Sequence, residues 1–184
     1  MSARRHQMKL ARWAACGAGV CALVLVAVLA TRPPATQTTS SPLIGHPAPP
    51  VAGRNLAGGH SSLAAMRGRW VLLNFFASWC PPCRTESPDL VKFAFSHPDG
   101  QRVAVLGVVY GDTAGNAAAF ERQLGATWPS LTDPNERIAI NYGVDDPPQS
   151  FLISPEGLVV DRILGGVTVG GLDRLVDSAV AAHA

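Results

Sequence analysis

Two cysteines stand with two residues between them in Trp79-Cys80-Pro81-Pro82-Cys83, where a long apolar run gives way to a helical stretch. That placement favours one kind of chemistry. A thiol at a helix N-terminus faces unpaired backbone N–H groups and the positive end of the helix dipole. Both favour the thiolate, and the thiolate is the nucleophile. The spacing brings the second sulfur within bonding distance of the first across one helical turn. Pro81 and Pro82 suit the first turn, where a missing N–H goes unnoticed, and they stiffen the loop. The expected reaction is thiol–disulfide exchange. Cys80, exposed at the helix tip, attacks or is attacked, and Cys83, further in, resolves the mixed disulfide into a Cys80–Cys83 bond.

Two other uses of the pair stay open at this level. A structural zinc site needs about four ligands. Beside these cysteines the domain offers only His46, His60, His97 and His183, scattered and at no knuckle spacing. No metal and no cofactor is expected. An inert disulfide would close a very small loop and contribute little stability.

The elements that must hold the pair are legible as runs. Trp70–Phe76 (WVLLNFF) is continuously apolar, as a strand buried on both faces would be. Residues 102–110 form a second such run. Residues 150–153 and 158–164 flank Ser154-Pro155-Glu156-Gly157, which is turn chemistry and predicts a hairpin. Helices are expected from Cys80 to about Phe95, over Ala114–Leu124 before Gly125, over Pro134–Tyr142 with Asp133 as N-cap, and over Leu172–Ala182 after Gly170-Gly171. The order strand, helix, strand, helix, hairpin, helix predicts an α/β domain, a central mixed sheet flanked by helices.

The charge is unevenly spread. The 184 residues hold 15 basic and 13 acidic groups. Residues 1–32 hold Arg4, Arg5, Lys9, Arg12 and Arg32 and no acid. The rest is therefore acidic, and no nucleic-acid partner is expected. Charged residues make up 15%, against ~25% in an ordinary soluble domain, while 47% hydrophobic residues exclude disorder throughout. The dilution comes from the uncharged run Ala14–Ala30, about 25 Å long as a helix. The expected organisation is a basic cytoplasmic segment (1–13), a transmembrane signal anchor (14–30), a Pro/Thr/Ser-rich linker (31–42) and the domain (43–184). A signal peptide cut after Val28-Leu29-Ala30 is the rival reading, and the length of the run favours the anchor. The positive-inside rule leaves the N-terminus in the cytoplasm and the domain outside a single-pass cell-membrane helix. Cys16 and Cys21 lie inside the run about 140° apart on a helix. They read as small apolar filler.

Larger stretches carry a resemblance. Gly45-His46-Pro47-Ala48-Pro49, the run WVLLNFFASWCPPCRTESP from Trp70, GVVYGD at 107–112 and YGVDDPPQSFLI at 142–153 resemble the thioredoxin superfamily. Within it they are similar to the membrane-anchored, extracytoplasmic thiol–disulfide oxidoreductases of the TlpA/ResA/CcmG kind. The resemblance implies a thioredoxin-like fold and a redox-active Cys80–Cys83 pair. It implies that Glu86, one turn beyond Cys83, is a buried acid/base for the inner cysteine; a solvated first-turn glutamate is the plain alternative. Asn74 stands where thioredoxins proper carry an aspartate and cannot take a proton as that residue does. Trp79 is implied as a half-exposed rim of the substrate site. Pro148 is implied as the cis-proline facing the cysteines. The residue before it normally bonds substrate through its N–H and C=O, and Pro147 has no N–H. Trp128-Pro129 lies either on the active-site side or in the core, and His97, Asp145 and Asp146 read as solvated.

The partners implied are protein thiols and disulfides, above all apocytochrome c, and a transmembrane thiol electron donor. The implied function is a reductant in cytochrome c maturation. The same chemistry run backwards, forming disulfides in exported proteins, is the alternative. A peroxidase of related fold would want threonine where Ala77 stands. A copper chaperone of related fold would want one more residue between the cysteines.

Overall fold

The computed structural model describes residues 23–24, 37–38, 40–97 and 102–183. In chain order the strands and helices are β1 (Gln37–Thr38), β2 (Ala52–Arg54), β3 (His60–Ser62), β4 (Trp70–Phe76), α1 (Pro81–Ser96), β5 (Val103–Val109), α2 (Ala114–Leu124), β6 (Ser130–Thr132), α3 (Arg137–Tyr142), β7 (Gln149–Ile153), β8 (Val159–Leu164) and α4 (Val169–Ala182). The main sheet has the order β1-β8-β7-β4-β5-β6. β4 runs parallel to β5 and antiparallel to β7, so the sheet is mixed, as expected. β7 and β8 form the expected hairpin.

β4 explains the core. Every residue in it is buried, and alternate side chains go to opposite faces. Val71, Leu73 and Phe75 pack with Ile138 and Tyr142 of α3. Trp70 and Leu72 pack with Leu90 and Phe93 of α1 and with Leu172 and Val176 of α4. Asn74 falls in this second row, a polar side chain among apolar ones, on the face α1 covers. Phe76, at the strand's end, packs with Cys80, Cys83, Ala117 and Phe120. The active-site turn is thus fixed to the sheet at the C-terminal end of β4.

Two helix starts differ from expectation. α3 begins at Arg137, because Asp133 to Glu136 form a turn closed by the Glu136 N–H on the Asp133 carbonyl at 2.9 Å. Asp133 still caps the helix, from outside it. Its carboxylate accepts the Ala139 N–H at 3.0 Å. α4 begins at Val169, and Gly170-Gly171 lie inside its first turn. The Thr168 hydroxyl accepts the Gly171 N–H and sets the start.

β1 lies within the stretch expected as a linker. Gln37 and Thr38 pair with Leu164 and Ile163 of β8, and the compact unit starts at Thr36. The expected anchor at 14–30 lies outside the described residues apart from Leu23 and Val24, which are helical. Cys16 and Cys21 lie outside them too. Among the described residues, no helix is long and apolar enough to cross a membrane.

Candidate active site

β4 ends at Phe76, and the chain turns through Ala77-Ser78-Trp79 into α1. The Cys80 N–H bonds the Ala77 carbonyl at 3.3 Å. Cys80 is the N-cap, with Pro81 and Pro82 opening the helix. Its sulfur accepts the Cys83 N–H at 3.1 Å, as a capping oxygen would. Cys80 and Cys83 form a disulfide, with Cα atoms 5.3 Å apart. That excludes the pair as zinc thiolates in this state. Among the described residues, no group of three or more His, Cys, Asp or Glu is placed to hold a metal ion.

Cys80 is not exposed at the helix tip. It is 1% exposed and Cys83 is 0%. The cover comes from the loop before β7. The Pro147–Pro148 bond is cis, and both prolines are buried. The Pro147 carbonyl oxygen lies 3.4 Å from the Cys80 sulfur. A disulfide sulfur has no proton, so this is a contact, and it becomes a weak S–H bond only on reduction. Trp79, beside the pair, is 53% exposed.

The segment GVVYGD holds the turn in place. The Trp79 indole N–H donates to the Gly111 carbonyl at 3.0 Å. The Asp112 carboxylate accepts the Ser78 N–H at 2.8 Å and the Thr113 N–H at 2.7 Å. Burial would raise the Asp112 pKa. Its bonds to Ser78, Thr113 and Asn116 outweigh that and hold it below the usual value. Arg84 donates to the Ser78 carbonyl at 3.0 Å while its guanidinium lies over the Phe120 ring. Both sides of the Ser78 peptide are therefore tied. Spacing alone did not reveal Asp112 and Arg84. The only signal was the resemblance, of 107–112 for Asp112 and of the run from Trp70 for Arg84.

Glu86 is buried, 4% exposed. One carboxylate oxygen accepts from the Asn74 amide at 3.2 Å, and the other accepts the Val167 N–H at 2.9 Å. The Asn74 amide also donates to the Ser150 hydroxyl at 3.0 Å. Loss of water raises the Glu86 pKa from 4.5 to about 7, and the Val167 and Asn74 bonds oppose the rise without cancelling it. A solvated first-turn glutamate is thereby excluded. Ser150 and Val167 were not singled out from the sequence.

The remaining residues lie apart. Trp128 packs with the cluster around Trp70 and Val103, so the core alternative holds. It lines a cleft of about 470 Å³ with Glu121 and Ser130. Asp145 and Asp146 are exposed, as expected. Asp145 accepts the Gln149 side-chain amide at 2.9 Å, and its carbonyl accepts the Tyr110 hydroxyl.

Comparison with known proteins agrees with this geometry. Residues 44–162 match the AhpC/TSA family. The thiol:disulfide interchange protein HelX of Rhodobacter capsulatus is 32% identical over 64% of this chain and 64% of its own. The thiol:disulfide interchange protein CycY of Rhizobium leguminosarum is 36% identical over 67% of this chain and 65% of its own. The chain thus spans just under two thirds of these two relatives. The thiol-disulfide oxidoreductase ResA of Bacillus subtilis is 31% identical over 67% of this chain and 69% of its own. Among solved structures, a thioredoxin-family thiol:disulfide interchange protein of Chlorobium tepidum superposes with a TM-score of 0.65 at 29% identity, covering 77% of this chain and 99% of that one. A DsbF homologue of Corynebacterium diphtheriae gives 0.66 at 27% identity, covering 78% and 99%. The chain belongs to the AhpC/TSA family, has a thioredoxin-like fold, and is similar to members named as thiol:disulfide interchange proteins and oxidoreductases.

Proposed function

We propose that the protein is an extracytoplasmic reductant of protein disulfides, acting in cytochrome c maturation as the resemblance implies. The observation that carries the reading is a helix-capping disulfide with a buried carboxyl one turn beyond it. In the reduced protein the Cys80 thiolate attacks a partner disulfide and expels one partner thiolate. Cys83 then gives its proton to Glu86, and its sulfur attacks Cys80. The second partner thiolate leaves, and the protein disulfide remains. Two electrons pass to the partner, and the leaving thiolates take up two protons. A thiol donor on the membrane restores the dithiol.

Direction depends on which redox form is stabilised. The Cys83 N–H on the Cys80 sulfur stabilises the thiolate, which favours an oxidant. A carboxylate at Glu86 opposes negative charge on Cys83, which favours a reductant. The equilibrium reduction potential of the full chain against glutathione decides between them. A value near ~−270 mV supports the reductant, and one near ~−120 mV means the protein forms disulfides instead.

The proposal places the domain outside the cell membrane, held by an anchor at 14–30 with residues 1–13 in the cytoplasm. Support comes from the apolar run and from the basic residues ahead of it.

Trp79, Pro147 and Pro148 form the docking surface in this reading. Pro147 offers no N–H, and its carbonyl faces the Cys80 sulfur. An extended partner segment therefore finds little main-chain pairing at this residue, and docking is weak or insensitive to sequence. Pro147→Ala should tighten binding of a disulfide peptide about two- to tenfold, the worth of one hydrogen bond. Equal peptide affinity of the variant and the parent, by calorimetry, would count against this docking mode.

A further inference from the structure

The proton that Glu86 takes from Cys83 can return to Cys83 or pass to water, and the side chains bonded to the carboxylate offer no route to water. Asn74 covers one oxygen with an amide, which neither takes nor gives a proton near neutral pH, and behind it lies Ser150. The other oxygen faces the chain at Gly165-Gly166-Val167, where Val167 donates its N–H. Gly165 is exposed and Gly166 half-buried. A Cβ built on Gly166 would lie 3.7 Å from the Glu86 Cβ and 3.9 Å from Oε2. Those are ordinary contact distances, so a methyl fits. Gly165 has a positive φ of 77°, but Gly166 does not, so its backbone tolerates a side chain.

We propose that the bare backbone at Gly166 is the opening through which Glu86 exchanges its proton with solvent. Gly166 is then a positioning residue for the acid/base step, and the inference rests on the role proposed for Glu86. The groups around Glu86 leave its titration to this opening. Its own helix brings Cys83. Asn74 of β4 and Ser150 of β7 are neutral. The 165–167 segment has no ionisable side chain. α4, packed on α1, brings Asp173, Arg174 and Asp177, none of which is among the causes of the Glu86 shift.

The test compares the full chain with Gly166→Ala, Glu86→Gln and the double variant. Two quantities are followed from pH 5 to 9: the rate at which the reduced protein reduces oxidised glutathione, and the Glu86 carboxyl titration by carbon-13 NMR. In Gly166→Ala both midpoints should move up together by about half a unit or more, because further desolvation disfavours the carboxylate. The rate at pH 7 should fall about two- to fivefold. In the Glu86→Gln background the added methyl should change nothing. If Gly166→Ala superimposes on the parent while Glu86→Gln does not, the opening is refuted and the role of Glu86 stands. A Gly166→Ala effect that persists in the Glu86→Gln background also refutes it, since the methyl then acts elsewhere. If Glu86→Gln itself leaves the rate profile unchanged, the acid/base role fails and takes the opening with it.

Discussion

A Cys83→Ser chain will stop at the mixed disulfide. With the resolving sulfur gone, no other cysteine among the described residues can expel the partner from Cys80. The covalent adduct should accumulate, survive denaturation without reductant, and dissolve when a small thiol is added. Turnover should fall by at least about a thousandfold, since an external thiol must replace an intramolecular attack. The Cys83 N–H that caps the Cys80 sulfur belongs to the backbone and survives the substitution, so the attacking thiolate keeps its stabilisation. Cys80→Ser is the control. It should trap no partner, because Cys83 lies inside the helix, one turn beyond the N-cap Cys80. Mass spectrometry of adducts under non-reducing conditions separates the two. Equal trapping by both variants would mean that Cys80 is not the attacking sulfur.

Glu86→Gln should slow the protein and stabilise it at once. Burial raises this carboxyl from 4.5 to about 7. The folded state therefore holds a proton that the unfolded chain has already lost between those two values. The stability it contributes is fully present below about pH 4.5 and fades as pH rises through 7. The loss above pH 7 is about 3 kcal/mol for a shift of that size. Glutamine never ionises and avoids it. Asn74 need only turn its amide over, so that its oxygen accepts from the new amide and the Ser150 hydroxyl donates to it. Denaturant midpoints of variant and parent should coincide near pH 4.5, with the variant about 2–3 kcal/mol more stable at pH 8. Glu121 is raised to about 7 by burial as well, against opposing bonds from Ser130 and Trp128. It should leave a residual decline of the same sign in both proteins. Reduction of a target disulfide should slow about a hundredfold or more with the base removed. Parallel stability profiles from pH 4.5 to 8 would show that Glu86 is not the desolvated group described.

β4, β5 and the β7–β8 hairpin were legible because each is apolar or alternating over enough residues to show its period. β2, β3 and β6 were not, since three residues carry no period and are held by pairing with distant partners. The Asp133 cap was right in chemistry and wrong in position, because a carboxylate can reach a helix end from outside it. The glycines at 170–171 looked like a boundary only because Thr168 was overlooked. The site divides the same way. Cys80, Cys83 and Glu86 stand in one helical turn after another and could be read together. What buries them comes from afar. The cover on Cys80 arrives with Pro147, 67 residues on, and the bonds to Glu86 arrive with Asn74 and Val167. Local spacing places a sulfur at a helix tip, but cannot show what closes over it.

The bonds that tie Ser78 and Trp79 run to Gly111, Asp112 and Arg84. None of them ends on a sulfur, so none is made or broken when the disulfide is. The Trp79 side of the rim therefore keeps its own bonds through the redox step. The Pro147 side does not, since its carbonyl meets a disulfide sulfur before reduction and a thiol after it. In a thermodynamic cycle linking docking to reduction, any difference between the two docking legs then comes from Pro147, and the rest of the drive is the difference in potential between donor and acceptor.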